Sequence, residues 1–115
     1  DFAKDEDLDL FCVQTNDTKA VIVKLFIRGG KLISTTHNYI NITNDTSIDE
    51  IYKIAIINYY TQSLPVVPSS ILLANEIIYK EELENFIGTK YNKKITINSP
   101  KIGLKKQLIT LAINN

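Results

Sequence analysis

Hydrophobic and polar residues alternate with period two along the first third of the chain, which predicts β-strands. In the clearest stretch, residues 20–28, apolar side chains occupy the odd positions while Lys24 and Arg28 fall on the opposite face, so we expect one face in the core. A polar cluster and the Gly29-Gly30 pair predict the turns of two successive hairpins. The predicted strands are Leu8 to Thr15, Ala20 to Arg28 and Lys31 to Ile42.

Helical spacing replaces the alternation after residue 46. Ser47 and Glu50, three residues apart, form a capping box that opens a helix, and a broad apolar stripe from Ile48 to Gln62 predicts that this helix is well buried. Prolines end it, and strand and helix patterns then alternate. They are a central strand at Ile71 to Leu73, a helix from Tyr79 to Ile87 stopped by Gly88, a strand at Ile95 to Asn98 and an amphipathic helix from Leu104 to Ala112.

The resulting order, β-β-β-α-β-α-β-α, predicts a mixed sheet with helices packed on it, an α/β (α+β) fold. Ribonuclease H-like domains have this order of elements, and on that fold-level analogy we expect one such domain. A length of 115 residues fits a single core. We place an acidic linker at residues 1–8 and the domain at residues 9–115, and the lack of methionine indicates a fragment of a longer chain.

The charges balance globally but are unevenly distributed. Thirteen basic and thirteen acidic side chains give no net field that would favour nucleic acid or a membrane surface. The first ten residues carry five carboxylates and one lysine, whereas the segment from Lys90 onward carries six lysines and no acid. There is neither a signal-peptide pattern nor an apolar stretch of the roughly 20 residues that span a bilayer, so we expect a cytoplasmic protein without a membrane partner.

Nucleases with the ribonuclease H-like order hold two metal ions with acidic residues on the first strand, the first helix and the fourth strand. Here the first strand has Asp9 only at its entrance, and the fourth strand ends in Ala74 and Asn75, so we predict no inward carboxylate on either. Helix capping already explains Asp49 and Glu50. We therefore predict a catalytically degenerate domain with no catalytic residue, no metal site and no cofactor, although a shifted strand register would change this interpretation.

Two other features could carry chemistry. His37, in a polar stretch without neighbouring ligand residues, is predicted to lie on the surface or on an edge strand. The loop from Arg28 to Lys31 is either a phosphate cradle or a hairpin turn with two solvated cations. Because it joins two strands and does not lead into a helix N-terminus, the turn is the favoured interpretation.

The lysine-rich C-terminal part is the best candidate for contact with a phosphate backbone, since such contacts depend on charge more than on sequence. The alternative is an ordinary solvated face. The candidate DNA-contacting residues are Lys93, Lys94, Lys101, Lys105 and Lys106, together with Arg28 and Lys31.

Several motifs resemble the middle region of the UvrC family, which belongs to the bacterial excision-repair nuclease. The run from Phe26 to Ile33 is similar to the family's F-I-R-x-G-K-L-I hairpin, and further segments follow in the family's order over nearly the whole chain. These segments are residues 12–14 and 20–25, Asn58-Tyr59-Tyr60, Pro68 to Leu73, Gly88 with Lys90 and Ile95, and the series Pro100, Gly103, Lys105, Leu108, Leu111, Ala112 and Asn114.

The resemblance implies a domain without its own active site, placed between two nuclease halves of a larger repair protein. Its implied partners are the other domains of that chain and, through them, the UvrB protein and damaged DNA. Ser70 and Ile102 stand where the family usually has Glu and Arg, which puts a phosphate contact by that Arg in doubt. The alternative function is a protein-interaction module that touches no nucleic acid, with the acidic start as its working surface.

Overall fold

The computed structural model describes residues 6–114 and contains every predicted element in the predicted order. The charged residues Asp1, Lys4 and Asp5 of the predicted acidic linker lie outside the described residues. The elements are β1 (Leu8–Thr15), β2 (Lys19–Arg28), β3 (Lys31–Asn41), α1 (Ile48–Tyr60), β4 (Ser70–Leu73), α2 (Lys80–Tyr91), β5 (Thr96–Asn98) and α3 (Gly103–Ile113).

The strands form one mixed sheet in the order β3-β2-β1-β4-β5. Two hairpins make β1, β2 and β3 antiparallel, while β4 and β5 run parallel to β1 because α1 and α2 carry the chain back across the sheet. The carboxyl ends of β1, β4 and β5 therefore lie at the same end of the sheet. This is the mixed α/β architecture that the sequence predicts.

Helices cover both faces of the central strands, so the sheet separates two cores. Phe11 and Ile71 belong to the core under α1 and α2, whereas Leu10 and Leu72 belong to the core under α3. The prediction that β4 is covered on both faces is confirmed, since Ile71, Leu72 and Leu73 are all buried. A strand in this position has no solvent-facing side, which explains its continuous apolar run.

The prediction that β2 has only one face in the core is wrong. Ala20, Ile22 and Phe26 on its second face are buried as well, because α1 packs above them. Lys24 on that face is half-buried, with its ammonium 5.1 Å from the centroid of the Tyr59 ring. The aliphatic stem of a lysine can cover apolar surface in this way while its charge stays near water.

Helix α2 continues through Gly88, so the prediction that this glycine stops the helix is wrong. The helix ends at Asn92, which adopts the left-handed conformation (φ 52°) that asparagine tolerates better than most residues. A Cβ atom on Gly88 would lie 2.9 Å from the carbonyl oxygen of Lys93. The glycine thus permits a close approach inside the structure.

Candidate nucleic-acid interface

Tyr52 on α1 closes the space between the carboxyl ends of β1 and β4. Its hydroxyl accepts a hydrogen bond from the Val13 amide at 3.0 Å and donates one to Asn75 Oδ1 at 2.6 Å. The side chain is fully buried, and burial raises the pKa of Tyr52 well above its usual value. The group is therefore a neutral phenol that is fixed from both sides.

Asn75 connects this closed end to the neighbouring strand. Its backbone carbonyl accepts a hydrogen bond from Ser99 Oγ at 2.8 Å, which ties the residue after β5 to the segment after β4. Ala74 continues the strand pairing by donating its amide to the Phe11 carbonyl at 3.1 Å. These bonds fix the ends of three parallel strands beside one another.

A crevice of about 500 Å³ opens next to this end, and we call it the carboxyl-end crevice. Lys80 at the first turn of α2 and Lys105 at the first turn of α3 line it, together with Asn98 and the single acid Glu76. In open α/β sheets, ligands bind outside the carboxyl ends of the strands, because loops and helix starts converge there. The crevice thus lies where this architecture usually places a binding site.

Three of the predicted DNA-contacting lysines belong to this end of the sheet. Lys105 lines the crevice, while Lys101 and Lys106 lie close to it in the chain, Lys101 directly after Pro100 of the crevice wall. The ammonium of Lys105 is also 3.1 Å from the carboxylate of Glu6, which offsets part of its charge. Sequence reasoning missed Lys80, although its place at the start of a crossover helix was a usable signal.

Lys93 and Lys94 lie at the other end of β5, before its first residue. Both line an open groove beside Gly88 and Asn92, and the Lys93 ammonium donates a hydrogen bond to the Val67 carbonyl. The predicted lysine-rich segment is therefore divided by β5 into two groups at opposite ends of the sheet. Lys93 also stabilises the loop that leads into β4.

Arg28 does not belong to a solvated hairpin turn, which corrects the favoured interpretation of this loop. Its guanidinium is 2.9 Å from the Asp9 carboxylate, and it also donates hydrogen bonds to the carbonyls of Leu8 and Ile27. Lys31, which is opposite Arg28 in the β2–β3 ladder, is exposed. Of the two predicted cations, only Lys31 presents its charge freely to solvent.

Asp9 is a buried carboxylate of β1, so the prediction that this strand has no inward carboxylate is wrong. The strand begins at Leu8, and alternation then directs Asp9 toward α1, where Tyr60 Oη donates to Asp9 Oδ2 at 2.6 Å. Burial raises the pKa of Asp9, although the hydrogen bond from Tyr60 and the nearby Arg28 act in the opposite direction.

The amides of the Gly29-Gly30 turn are occupied by the chain itself. The Gly29 amide donates to the Asp7 carboxylate at 2.8 Å, and the Gly30 amide donates to the Glu6 carbonyl at 2.8 Å. A phosphate cradle would need such amides directed at the ligand. The structure thus favours a structural turn, which holds the residues before β1 against the β2–β3 hairpin.

Within residues 6–114, the His, Cys, Asp and Glu side chains form no group of three that could hold a metal ion. His37 is exposed on the edge strand β3, as predicted. None of the helices in this part of the chain is long and apolar enough to cross a bilayer.

Two solved structures share the fold of this chain. The Marinitoga piezophila Argonaute, solved with a 5′ OH guide RNA, matches with a TM-score of 0.54 and 14% identity over 84% of this chain and 16% of its own. The Ciona intestinalis Endonuclease V, solved with a DNA that contains inosine, matches with a TM-score of 0.50 and 14% identity over 99% of this chain and 57% of its own. At such identities the likeness concerns the fold alone.

The family follows from the sequence comparisons. The sequence model of the UvrC Ribonuclease H-like domain matches residues 7–115, and the chain belongs to this family. It is 42% identical over 120 residues to the UvrABC system protein C of Aliarcobacter butzleri and 46% identical over 118 residues to that of Helicobacter acinonychis. It aligns over its whole length but spans only 20% of each relative. The resemblance inferred from the motifs is thereby confirmed.

Proposed function

We propose that this chain serves excision repair as a domain that does not cut DNA, holds other parts of a UvrC-type protein in place and contacts DNA through the carboxyl-end crevice. The observation that carries the proposal is that a closed strand end lies next to a basic crevice. Tyr52 and Asn75 fill the strand end, and Lys80 and Lys105 line the crevice. The other domains of the protein, UvrB and damaged DNA are the proposed partners.

The closed strand end supports a role without cleavage. A two-metal centre needs carboxylates that can bind cations, whereas this position holds a neutral phenol and an amide. The buried carboxylate of β1, Asp9, lies four residues before Val13, roughly 13 Å along the strand. It is already neutralised by Arg28 and hydrogen-bonded by Tyr60.

The basic crevice supports contact with the DNA backbone. Phosphate contacts depend on the number and spacing of cations and fix the position of a protein without reading the base sequence. Lys80, Lys101, Lys105 and Lys106 supply four cations around one end of the sheet, against the acids Glu6 and Glu76. The excess of positive charge is modest, which suits a domain that assists binding by a larger protein.

A pair of charge-removing variants tests this assignment. In Lys80→Gln/Lys105→Gln both crevice lysines become neutral, and the matched control Lys19→Gln/Lys53→Gln neutralises two lysines that neither line the crevice nor belong to the predicted DNA-contacting set. We expect the crevice variant to bind duplex DNA more weakly. Its plot of log K against log salt should be less steep by up to roughly 1.8, because two phosphate contacts are lost. The control should change the affinity and the steepness less. Fluorescence anisotropy at several salt concentrations measures the slope.

Equal effects of the two variants would disprove the crevice as the contact. If the unmodified chain does not bind DNA even at low salt, the DNA-contacting role is wrong and the protein-interaction alternative takes its place. Circular dichroism of each variant shows whether a loss of binding comes from unfolding.

A further inference from the structure

Strand β3 projects from the sheet as a long, uncovered edge. It is hydrogen-bonded to β2 on one side and has no neighbour on the other in the described sheet, and ten of its eleven residues are exposed. The exposed side chains include four large apolar ones, Leu32 (47%), Ile33 (61%), Tyr39 (71%) and Ile40 (37%). The helices lie over the central strands and leave both faces of β3 open.

The usual devices that protect an edge from pairing are nearly missing. Edge strands are commonly short, charged, interrupted by proline or bent by a bulge. In β3 the only Lys, Arg, Asp or Glu is Lys31, and there is no proline. The ladder with β2 does shift register between Phe26 and Ile27, which leaves Ile33 as an extra residue. The stretch from Ser34 to Asn41 is regular and could accept another strand.

The pattern of β3 is symmetric about its central residue, Thr36. Five polar residues, Ser34 to Asn38, are flanked by the apolar pair Leu32-Ile33 on one side and the apolar pair Tyr39-Ile40 on the other. When such a strand pairs antiparallel with a copy of itself, each apolar pair of one strand meets the other apolar pair of its partner. If the bulge at Ile33 shifts the pairing of the two β3 strands by one residue, the apolar pairs of the two copies still touch each other.

We propose that β3 is a self-association site, where it pairs antiparallel with β3 of a second copy about a two-fold axis at Thr36. The two five-stranded sheets then become one continuous sheet of ten strands. A symmetric pair of this kind is isologous, so the same residues supply both halves of the interface. The proposal is independent of the DNA-contacting role.

Charge and hydrogen bonding favour a second copy as the occupant. Lys31 of one strand would lie opposite the neutral Asn41 of the other, so the pairing brings no like charges directly together. Thr36 Oγ1 is buried without a hydrogen-bond partner in the single chain. On the axis, a rotation about χ1 would turn this hydroxyl toward Thr36 of the second copy, and cross-strand Thr–Thr pairs can hydrogen-bond.

The mass of the chain in solution tests the proposal. We expect analytical ultracentrifugation to show a concentration-dependent dimer and Thr36→Lys to raise its dissociation constant at least about tenfold, because it places two ammonium groups opposite each other. The matched control, Thr96→Lys, adds the same charge on β5 at the other edge of the sheet and should leave the dimer intact.

Cross-linking tests the register separately. In Thr36→Cys the two Cα atoms would be about 4.5–5.5 Å apart, within the range that a disulfide bridges. In Lys31→Cys they would be ten residues apart along the strands, roughly 33 Å, so no bond should form. The native Cys12 is buried and stays out of the reaction.

A monomer at all concentrations, equal effects of Thr36→Lys and Thr96→Lys, or equal cross-linking of both cysteine variants would overturn the proposal. A further arm uses the full-length protein that contains this domain. If Thr36→Cys fails to cross-link there and the β3 amides are protected from hydrogen exchange in a monomer, another segment of the same chain occupies the edge, and the second copy is refuted.

Discussion

Two side chains decide which chemistry this sheet can support. Tyr52 offers a neutral, doubly hydrogen-bonded hydroxyl at the carboxyl end of β1, whereas Asp9 holds the buried charge of the strand near its amino end. Breaking a buried ion pair typically costs about 3–5 kcal/mol, because the remaining charge has no partner. Asp9 and Arg28 therefore belong to the stability of the fold and are poor candidates for a ligand site.

The raised pKa of Asp9 predicts a pH-dependent stability. The folded state binds the Asp9 proton more tightly than the unfolded state, so this contribution is present at low pH and is lost as the pH rises through the folded pKa. We expect the difference in free energy of unfolding between Asp9→Asn, which mimics the protonated form, and the wild type to shift in favour of Asp9→Asn as the pH rises from about 4, near the unfolded pKa, through the folded pKa. Each unit of pKa shift corresponds to about 1.4 kcal/mol in the free energy of unfolding, which urea titration at several pH values measures.

Asp17→Asn, in the exposed β1–β2 turn, is the control for the change in net charge. Two results would contradict a raised pKa. The free energies of unfolding of wild type and Asp9→Asn could differ by the same amount at every pH, or the wild type could become the relatively more stable protein as the pH rises.

Most secondary-structure elements could be predicted from local pattern, because period and turn residues are local properties. The capping box at Ser47 is half confirmed, since Ser47 Oγ accepts from the Glu50 amide at 3.1 Å while the Glu50 carboxylate instead accepts from Tyr79. The end of α2 could not be predicted from the glycine, because Gly88 lies inside the last turn, where the chain reverses at Asn92 and brings the Lys93 carbonyl close to it. A glycine needed for this local approach has the same sequence signature as one that ends a helix.

Gly88→Ala tests that explanation of the glycine. Alanine is intrinsically better than glycine in a helix by roughly 0.5–1 kcal/mol, but the new Cβ would crowd the Lys93 carbonyl, and overpacking typically costs about 1–3 kcal/mol. We expect a net loss of about 1 kcal/mol in the free energy of unfolding. Thr89→Ala, exposed on the same helix, should be nearly neutral; if Gly88→Ala is the more stable protein, the close approach does not constrain this site.

The distribution of lysines shows where sequence reasoning about the site stops. From the chain alone, residues 93–106 form one basic segment, but β5 divides it between two ends of the sheet. Lys80 joins Lys105 because α2 and α3 both begin at the carboxyl end, so it is found only when the order of strands and crossover helices is taken into account and not from the charge pattern alone. The pairing of Arg28 with the buried Asp9 likewise joins two strands and could not be predicted from either strand alone. The DNA contacts themselves stay a prediction.

Binding and cutting of DNA can be measured in one tube, which tests the non-cutting, DNA-contacting role most directly. The chain is mixed with labelled duplex and bubble DNA at low and moderate salt, with magnesium or manganese present. We predict salt-sensitive binding, since phosphate contacts release counterions, and intact DNA after incubation. Metal-dependent cleavage by the purified chain, absent from a mock purification, would contradict this role.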